Sequence, residues 1–180
     1  MLRLFLAVDL PEGVRQEVAA LCTEVNQARW VKPHQLHITL RFMGKTPDHA
    51  LQGIRQQLAS VRSPSFDLSL RSAGTFSSGM NAKRSPVLWL GIEPAAPLAV
   101  LKHEIEARLG PDLERPNQEY SPHLTLARLT EHNDATLTQF VSRHRDYRSV
   151  GWRVDSFRLY RSTLHPSGSV HEVVEAYGLV

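Results

Sequence analysis

The chain has 180 residues, enough for one domain or for two small halves sharing a core. With 42% hydrophobic and 22% charged residues it has the balance of a soluble globular protein, and its most apolar opening stretch, Leu2 to Leu10, is broken by Arg3 and Asp9 and too short to span a bilayer. The net charge of +3 is mild and scattered, compatible with a polyanionic ligand, and a single cysteine, Cys22, excludes an internal disulfide and fits the cytoplasm.

The elements follow in order. Arg3 to Leu10 predicts a strand, and Pro11 with Glu12 opens a helix whose apolar stripe is Val14, Val18, Leu21 and Val25, running to about residue 26. Val31 to His34 is a connection, and Leu36 to Gly44 a strand. Pro47-Asp48 starts a second helix carrying Leu51, Ile54, Leu58 and Val61, and Phe66, Leu68 and Leu70 alternate as a strand. After a Gly/Ser-rich loop from Thr75 to Ser85 come a strand at Val87–Ile92 and a helix with Leu98, Leu101, Ile105 and Leu109, stopped by Gly110-Pro111. A strand at His123–Leu129, a polar turn at Glu131–Asp134, a short helix with Leu137, Phe140 and Val141, a long strand from Trp152 to about Leu164 and a last one from Val170 to Tyr177 complete the chain.

Two of these strands carry nearly the same four residues: His37-Ile38-Thr39-Leu40 and His123-Leu124-Thr125-Leu126, 86 positions apart (123 − 37). On a strand, residues two apart share a face, so each segment presents an imidazole and a hydroxyl together. A lone H-x-T triplet is expected about half a time by chance in a chain of this composition; two copies in matched apolar settings are not. The flanking pattern repeats as well. Phe66 and Trp152 each lie 29 residues after their histidine, Leu51 and Leu137 each 14 after, and Pro11 and Pro97 are 86 apart. This is an internal duplication of the order strand, helix, motif strand, helix, strand. Packed about a pseudo-twofold axis, it brings the motif strands together across a groove.

Two imidazoles without a carboxylate cluster suit acid–base chemistry, since histidine titrates near pH 6.5 and serves either proton role. No metal is expected. H-E-x-x-H, C-x-x-C and D-x-D patterns are lacking, and His34 is of the other parity or in a loop. A phosphodiester fits the set, with Thr39 and Thr125 donating to its oxygens or orienting the rings. Arg41 shares parity with His37 and Thr39 and is a candidate phosphate contact. Phe5, Phe42 and Trp30 are candidates for base stacking, against the plainer reading of core packing.

The sequence resembles the 2H phosphoesterases, specifically the RNA 2′,3′-cyclic phosphodiesterases also called 2′-5′ RNA ligases. The likeness covers essentially the whole chain: Arg3 to Pro11, Trp30-Val31, Leu36 to Gly44, Val87 to Gly91, Pro122 to Arg128 and Leu159 to Ser162. Met43 and His171 depart from it, at positions where the family more often has Leu and Tyr. The resemblance implies opening of a terminal 2′,3′-cyclic phosphate on RNA by water to leave a 2′-phosphate, with His37 as proton donor and His123 as proton acceptor. Used in reverse, the same site would join such an end to a 5′-hydroxyl in a 2′-5′ linkage, without a cofactor. The resemblance also implies a phosphate contact from Arg128, although strand parity sets that residue opposite to His123 unless a bulge intervenes.

The expected fold is therefore α+β: one bilobed domain over residues 1–180, with halves at about 1–85 and 86–180. Each lobe is an antiparallel sheet with helices outside, and the groove lies between lobes. The expected partner is an RNA end or a small cyclic nucleotide, met by a cytoplasmic monomer without membrane attachment. A small-nucleotide phosphodiesterase and a non-catalytic RNA-binding module are the competing readings.

Overall fold

The first strand sets the layering. Along β1 (Leu2–Asp9), Leu4, Leu6 and Val8 enter the main core, while Phe5 and Ala7 face the other way beside Tyr160. The structure, a computed structural model, describes residues 1–22, 25, 28–76, 86–110, 120–129, 134–166 and 168–180. After β1 come α1 (Glu12–Leu21), β2 (Ala28–Trp30), a 3-10 turn at Pro33–Gln35, β3 (His37–Thr46), a second 3-10 turn at Asp48–Ala50 and α2 (Leu51–Ala59). Then follow β4 (Phe66–Phe76), β5 (Val87–Glu93), α3 (Ala96–Leu109), β6 (His123–Leu129), α4 (Asp134–Arg143), β7 (Trp152–Val154), β8 (Ser156–His165) and β9 (Gly168–Gly178).

This is an α+β fold built on one curled antiparallel sheet, in the order β7-β4-β5-β6-β3-β1-β8-β9 with β2 beside β6. The core lies between the sheet's convex face and the helices: α3 packs on β3, α4 on β4, and α2 on α3 and β9. No helix among the described residues is long and apolar enough to cross a membrane.

The motif strands meet at the middle of the sheet, where Ile38 is the Cα partner of Leu124. These are equivalent residues of the repeat (124 − 38 = 86), so the pseudo-twofold axis passes between them. On one side lie β3, β1, β8 and β9, hereafter the first lobe; on the other lie β6, β5, β4 and β7, the second lobe.

The lobes are not the sequence halves. β4 comes from the first half but pairs with β5, its successor in the chain, because consecutive strands pair readily as an antiparallel hairpin. In exchange β8 pairs with β1. This also explains why the strand expected from Trp152 to Leu164 breaks at Asp155: β7 edges β4 in the second lobe, and β8 lies beside β1 in the first. Other boundaries moved too. The first helix ends at Leu21, and β4 continues to Phe76, where a loop was expected. The offset of 86 does not extend to the prolines, since Pro11 is the N-cap of α1 while Pro97 sits within the first turn of α3. As expected, α3 stops at Gly110, its C-cap; residues 77–85, 111–119 and 130–133, which carry most of the expected loop and polar turn, lie outside the described residues.

Candidate active site

His37 and His123 open β3 and β6 on the concave face, each half-buried, with Thr39 and Thr125 two residues on and also half-buried. Antiparallel pairing about Ile38 and Leu124 sets Thr39 across from His123 and His37 across from Thr125. The rings are held alike. His37 donates Nδ1–H to the Gln35 carbonyl at 2.7 Å, and His123 donates Nδ1–H to the Ser121 carbonyl at 2.8 Å. A carbonyl only accepts, so in each neutral ring the proton sits on Nδ1 and Nε2 carries a free lone pair. Both histidines are thus fixed in the tautomer of a general base, and either becomes a general acid on gaining a second proton.

The arginines trade places relative to the parity expectation, because both motif strands bulge just after the threonine. In β3, Thr39 pairs with Ala7 but Arg41 with Leu6, leaving Leu40 as the extra residue. In β6, Thr125 pairs with Trp89 but Ala127 with Leu88, leaving Leu126 extra. One extra residue reverses the facing of everything beyond it. Arg41 therefore points into the core: it is only 2% exposed and lies 3.3 Å from Glu106 of α3. Its reading as a phosphate contact is corrected to a strand-to-helix tie. Arg128 is turned onto the face of His123 and Thr125 by the same device, and it is exposed. Its equivalent in the first lobe is Phe42 (128 − 86), which is 65% exposed, with its ring 6.0 Å from that of Phe5.

The walls around the two histidines differ. His37 is packed by Phe5 at 4.9 Å, His171 at 5.3 Å and Tyr160 at 6.4 Å between ring centroids. Burial pushes its pKa down to about 4. The Gln35 carbonyl works against this, as does the Asp9 carboxylate, while the imidazole of His171 and then Arg15 add to it. His171 is itself held below its ordinary value by burial and by His34.

Asp9 is the Cα partner of His37. It accepts from Arg158 and, at 2.5 Å, from the Tyr160 hydroxyl, whose pKa burial and this carboxylate push up to about 12. Arg15 stands 3.8 Å from Asp9 and donates to the Leu10, Pro33 and Leu36 carbonyls, tying α1 to the turn before His37. His123 instead meets Phe76 edge-on at 4.9 Å and Trp89 at 6.5 Å. The Tyr120 hydroxyl donates to the Thr39 carbonyl at 3.1 Å and so links the approach to β6 with β3.

A model of the 2′-5′ RNA ligase superfamily matches residues 9–166. The chain belongs to that superfamily. Among similar superfamily proteins, the RNA 2′,3′-cyclic phosphodiesterase of Methanothermobacter thermautotrophicus is 30% identical over 98% of each chain. That of Thermus thermophilus is 32% identical over 99% of this chain and 90% of its own. A crystal structure from Thermus thermophilus superposes with a TM-score of 0.75 at 30% identity, covering 98% of this chain and 97% of its own. E. coli LigT complexed with 3′-AMP, at 23% identity, shares the fold with a TM-score of 0.79 over 99% and 98%.

Sequence reasoning missed several side chains that line the groove of this superfamily member: Asp9, Tyr160, Phe76, Trp89 and His171. Asp9 alone left a signal, since it shares strand parity with Phe5 and Ala7; the others depend on which strands pair. Trp30 packs on Phe140 at 6.1 Å and is not on the concave face with the histidines. Cys22 ends α1 half-buried, donates to the Val18 carbonyl, and has its thiol pKa pushed up to about 11 by burial. Among the described residues no group of three or more His, Cys, Asp or Glu side chains is placed to hold a metal ion.

Proposed function

We propose that this protein hydrolyses RNA 2′,3′-cyclic phosphate ends to 2′-phosphomonoesters, the curated relatives' substrate class, through its two histidines. The observation that carries this reading is the pair of His–Thr units around one axis, each ring tethered at Nδ1 with Nε2 free. His123 takes a proton from water as the water oxygen attacks phosphorus. The P–O3′ bond breaks, and His37 protonates the leaving 3′-oxygen. Thr39, Thr125 and Arg128 hold the non-bridging oxygens.

Burial keeps His37 neutral above about pH 4. An anion within hydrogen-bonding range raises a histidine's pKa by about 1–3 units, so the phosphate itself charges the acid that acts on it. A 5′-hydroxyl in place of water gives the 2′-5′ linkage. We place the protein in the cytoplasm as a monomer, on its lone unpaired cysteine and mixed surface charge.

The test is hydrolysis of an oligonucleotide ending in a 2′,3′-cyclic phosphate, with the product's phosphate position assigned. His37→Ala and His123→Ala should each slow turnover by about 10²–10⁴-fold, and EDTA should leave the wild-type rate unchanged. A 3′-phosphate product, or near-full activity in either variant, would overturn the proposal.

A further inference from the structure

The two lobes are equivalent in backbone and differ in what stands beside their histidines. The register that makes Asp9 the partner of His37 makes Gly91 the partner of His123. In the first lobe that position is a carboxylate, occupied by Arg158, Tyr160 and Arg15. In the second lobe it has no side chain, and the next residue across the sheet is Arg71, the Cα partner of Gly91. Arg71, Gly91 and His123 thus form one row on the concave face, spanning about 10 Å, or two inter-strand spacings.

Beside Gly91, where a Cβ would meet the Arg71 carbonyl at 2.9 Å and the Trp89 ring at 3.6 Å, lies a depression of about 580 Å³, lined among others by Arg71, Ser72, Trp89, Gly91 and Glu93. Its parts are set firmly. A Cβ on Gly74 would come within 2.2 Å of the Trp89 ring, so the indole lies directly against that glycine. Arg148 bridges Arg71 through the backbone, and the two guanidiniums share the Glu93 carboxylate at 2.5 Å each, with Asp146 also near Arg71. Ser72, between Arg71 and Ala73, bulges β4 at φ 49°, held by its amide to the Tyr147 carbonyl and its hydroxyl to the Arg145 carbonyl.

An aromatic plate beside half-exposed arginines is how proteins hold single-stranded nucleic acid. The matching position of the first lobe is filled by the Asp9 carboxylate, which Arg158, Arg15 and the Tyr160 hydroxyl already hold. We propose that the second-lobe face over Gly91, between Trp89 and the Arg71–Arg148 pair, binds the nucleotide on the 5′ side of the cyclic phosphate, so that the RNA chain leaves the site across β5 and β4. This deepens the functional reading above and rests on it.

The test compares kcat/KM for a short oligonucleotide ending in a 2′,3′-cyclic phosphate with that for the corresponding mononucleotide. Wild type should favour the oligonucleotide. In the Arg71→Ala/Arg148→Ala double variant that ratio should fall about tenfold, and the dependence of log oligonucleotide affinity on log salt should flatten by about 0.7 for each phosphate no longer neutralised. Glu93→Gln, which frees both guanidiniums, should raise the ratio.

An unchanged ratio in the double variant, a lowered ratio in Glu93→Gln, or a larger loss in Arg158→Ala would overturn the proposal. Should wild type hydrolyse neither substrate, the functional reading fails on its own. The subsite is then judged by anisotropy binding of a labelled RNA oligonucleotide with a 3′-terminal phosphate. About tenfold weaker binding by the double variant supports the subsite, and equal binding refutes it.

Discussion

Acidification from pH 7 to pH 4 should weaken this fold through one identifiable ring. Packing by Phe5, Tyr160 and His171 keeps His37 neutral down to about pH 4, whereas the same imidazole in the unfolded chain titrates near 6.5. The folded value is the lower one, so the unfolded chain takes up its proton first. The ring's contribution is whole above about pH 6.5 and is lost as pH falls through the window to about 4. A shift of that size is worth at most about 3 kcal/mol at 1.36 kcal/mol per unit. Because the ring is half-buried, solvent screening leaves about 1–3 kcal/mol. The assay is urea unfolding followed by tryptophan fluorescence at both pH values, for wild type and for His37→Asn. The asparagine amide keeps an N–H for the Gln35 carbonyl but takes up no proton. Wild type should lose about 1–3 kcal/mol more than the variant on acidification; equal losses would refute the burial argument.

Three further outcomes follow from the geometry. Arg41→Met should lower stability by about 1 kcal/mol, measured by denaturant unfolding, because Glu106 loses one cationic partner and keeps Lys102 at 2.5 Å; the KM for a cyclic-phosphate substrate should not move. Gly74→Ala should cost about 1–3 kcal/mol and shift the tryptophan emission, since the new methyl displaces the Trp89 indole. Arg128→Ala should raise KM for the same substrate by about tenfold, the value of one charge-assisted contact, whereas Phe42→Ala should leave the response to salt unchanged.

Much of the candidate site was legible because its geometry is local. His37 with Thr39 and His123 with Thr125 need only the alternation of a strand to share a face, and the bounds of β6 fell at His123 and Leu129 as expected. What failed was whatever depends on strand pairing. Leu40 and Leu126 look like any other apolar strand residue, yet each is the extra residue of a bulge. Those bulges send Arg41 inward and Arg128 outward. The difference between Asp9 and Gly91 was equally hidden, since the constant offset of 86 matches neither to the other (91 − 9 = 82). The exchange of β4 and β8 between lobes leaves no trace in composition, because both strands alternate as they would have done at home.

The bridge between Ile38 and Leu124 has one more consequence. Divided near residue 85, the arrangement has the form of an isologous dimer whose protomers exchange β4 for the β8–β9 hairpin. In a true homodimer every substitution is made twice, once on each side of the axis, so neither half can specialise without the other. A single covalent chain lifts that constraint. It permits a carboxylate beside one histidine and bare backbone beside the other. Covalent linkage of the halves thereby gives a groove built on twofold geometry a direction along which a polar chain can lie.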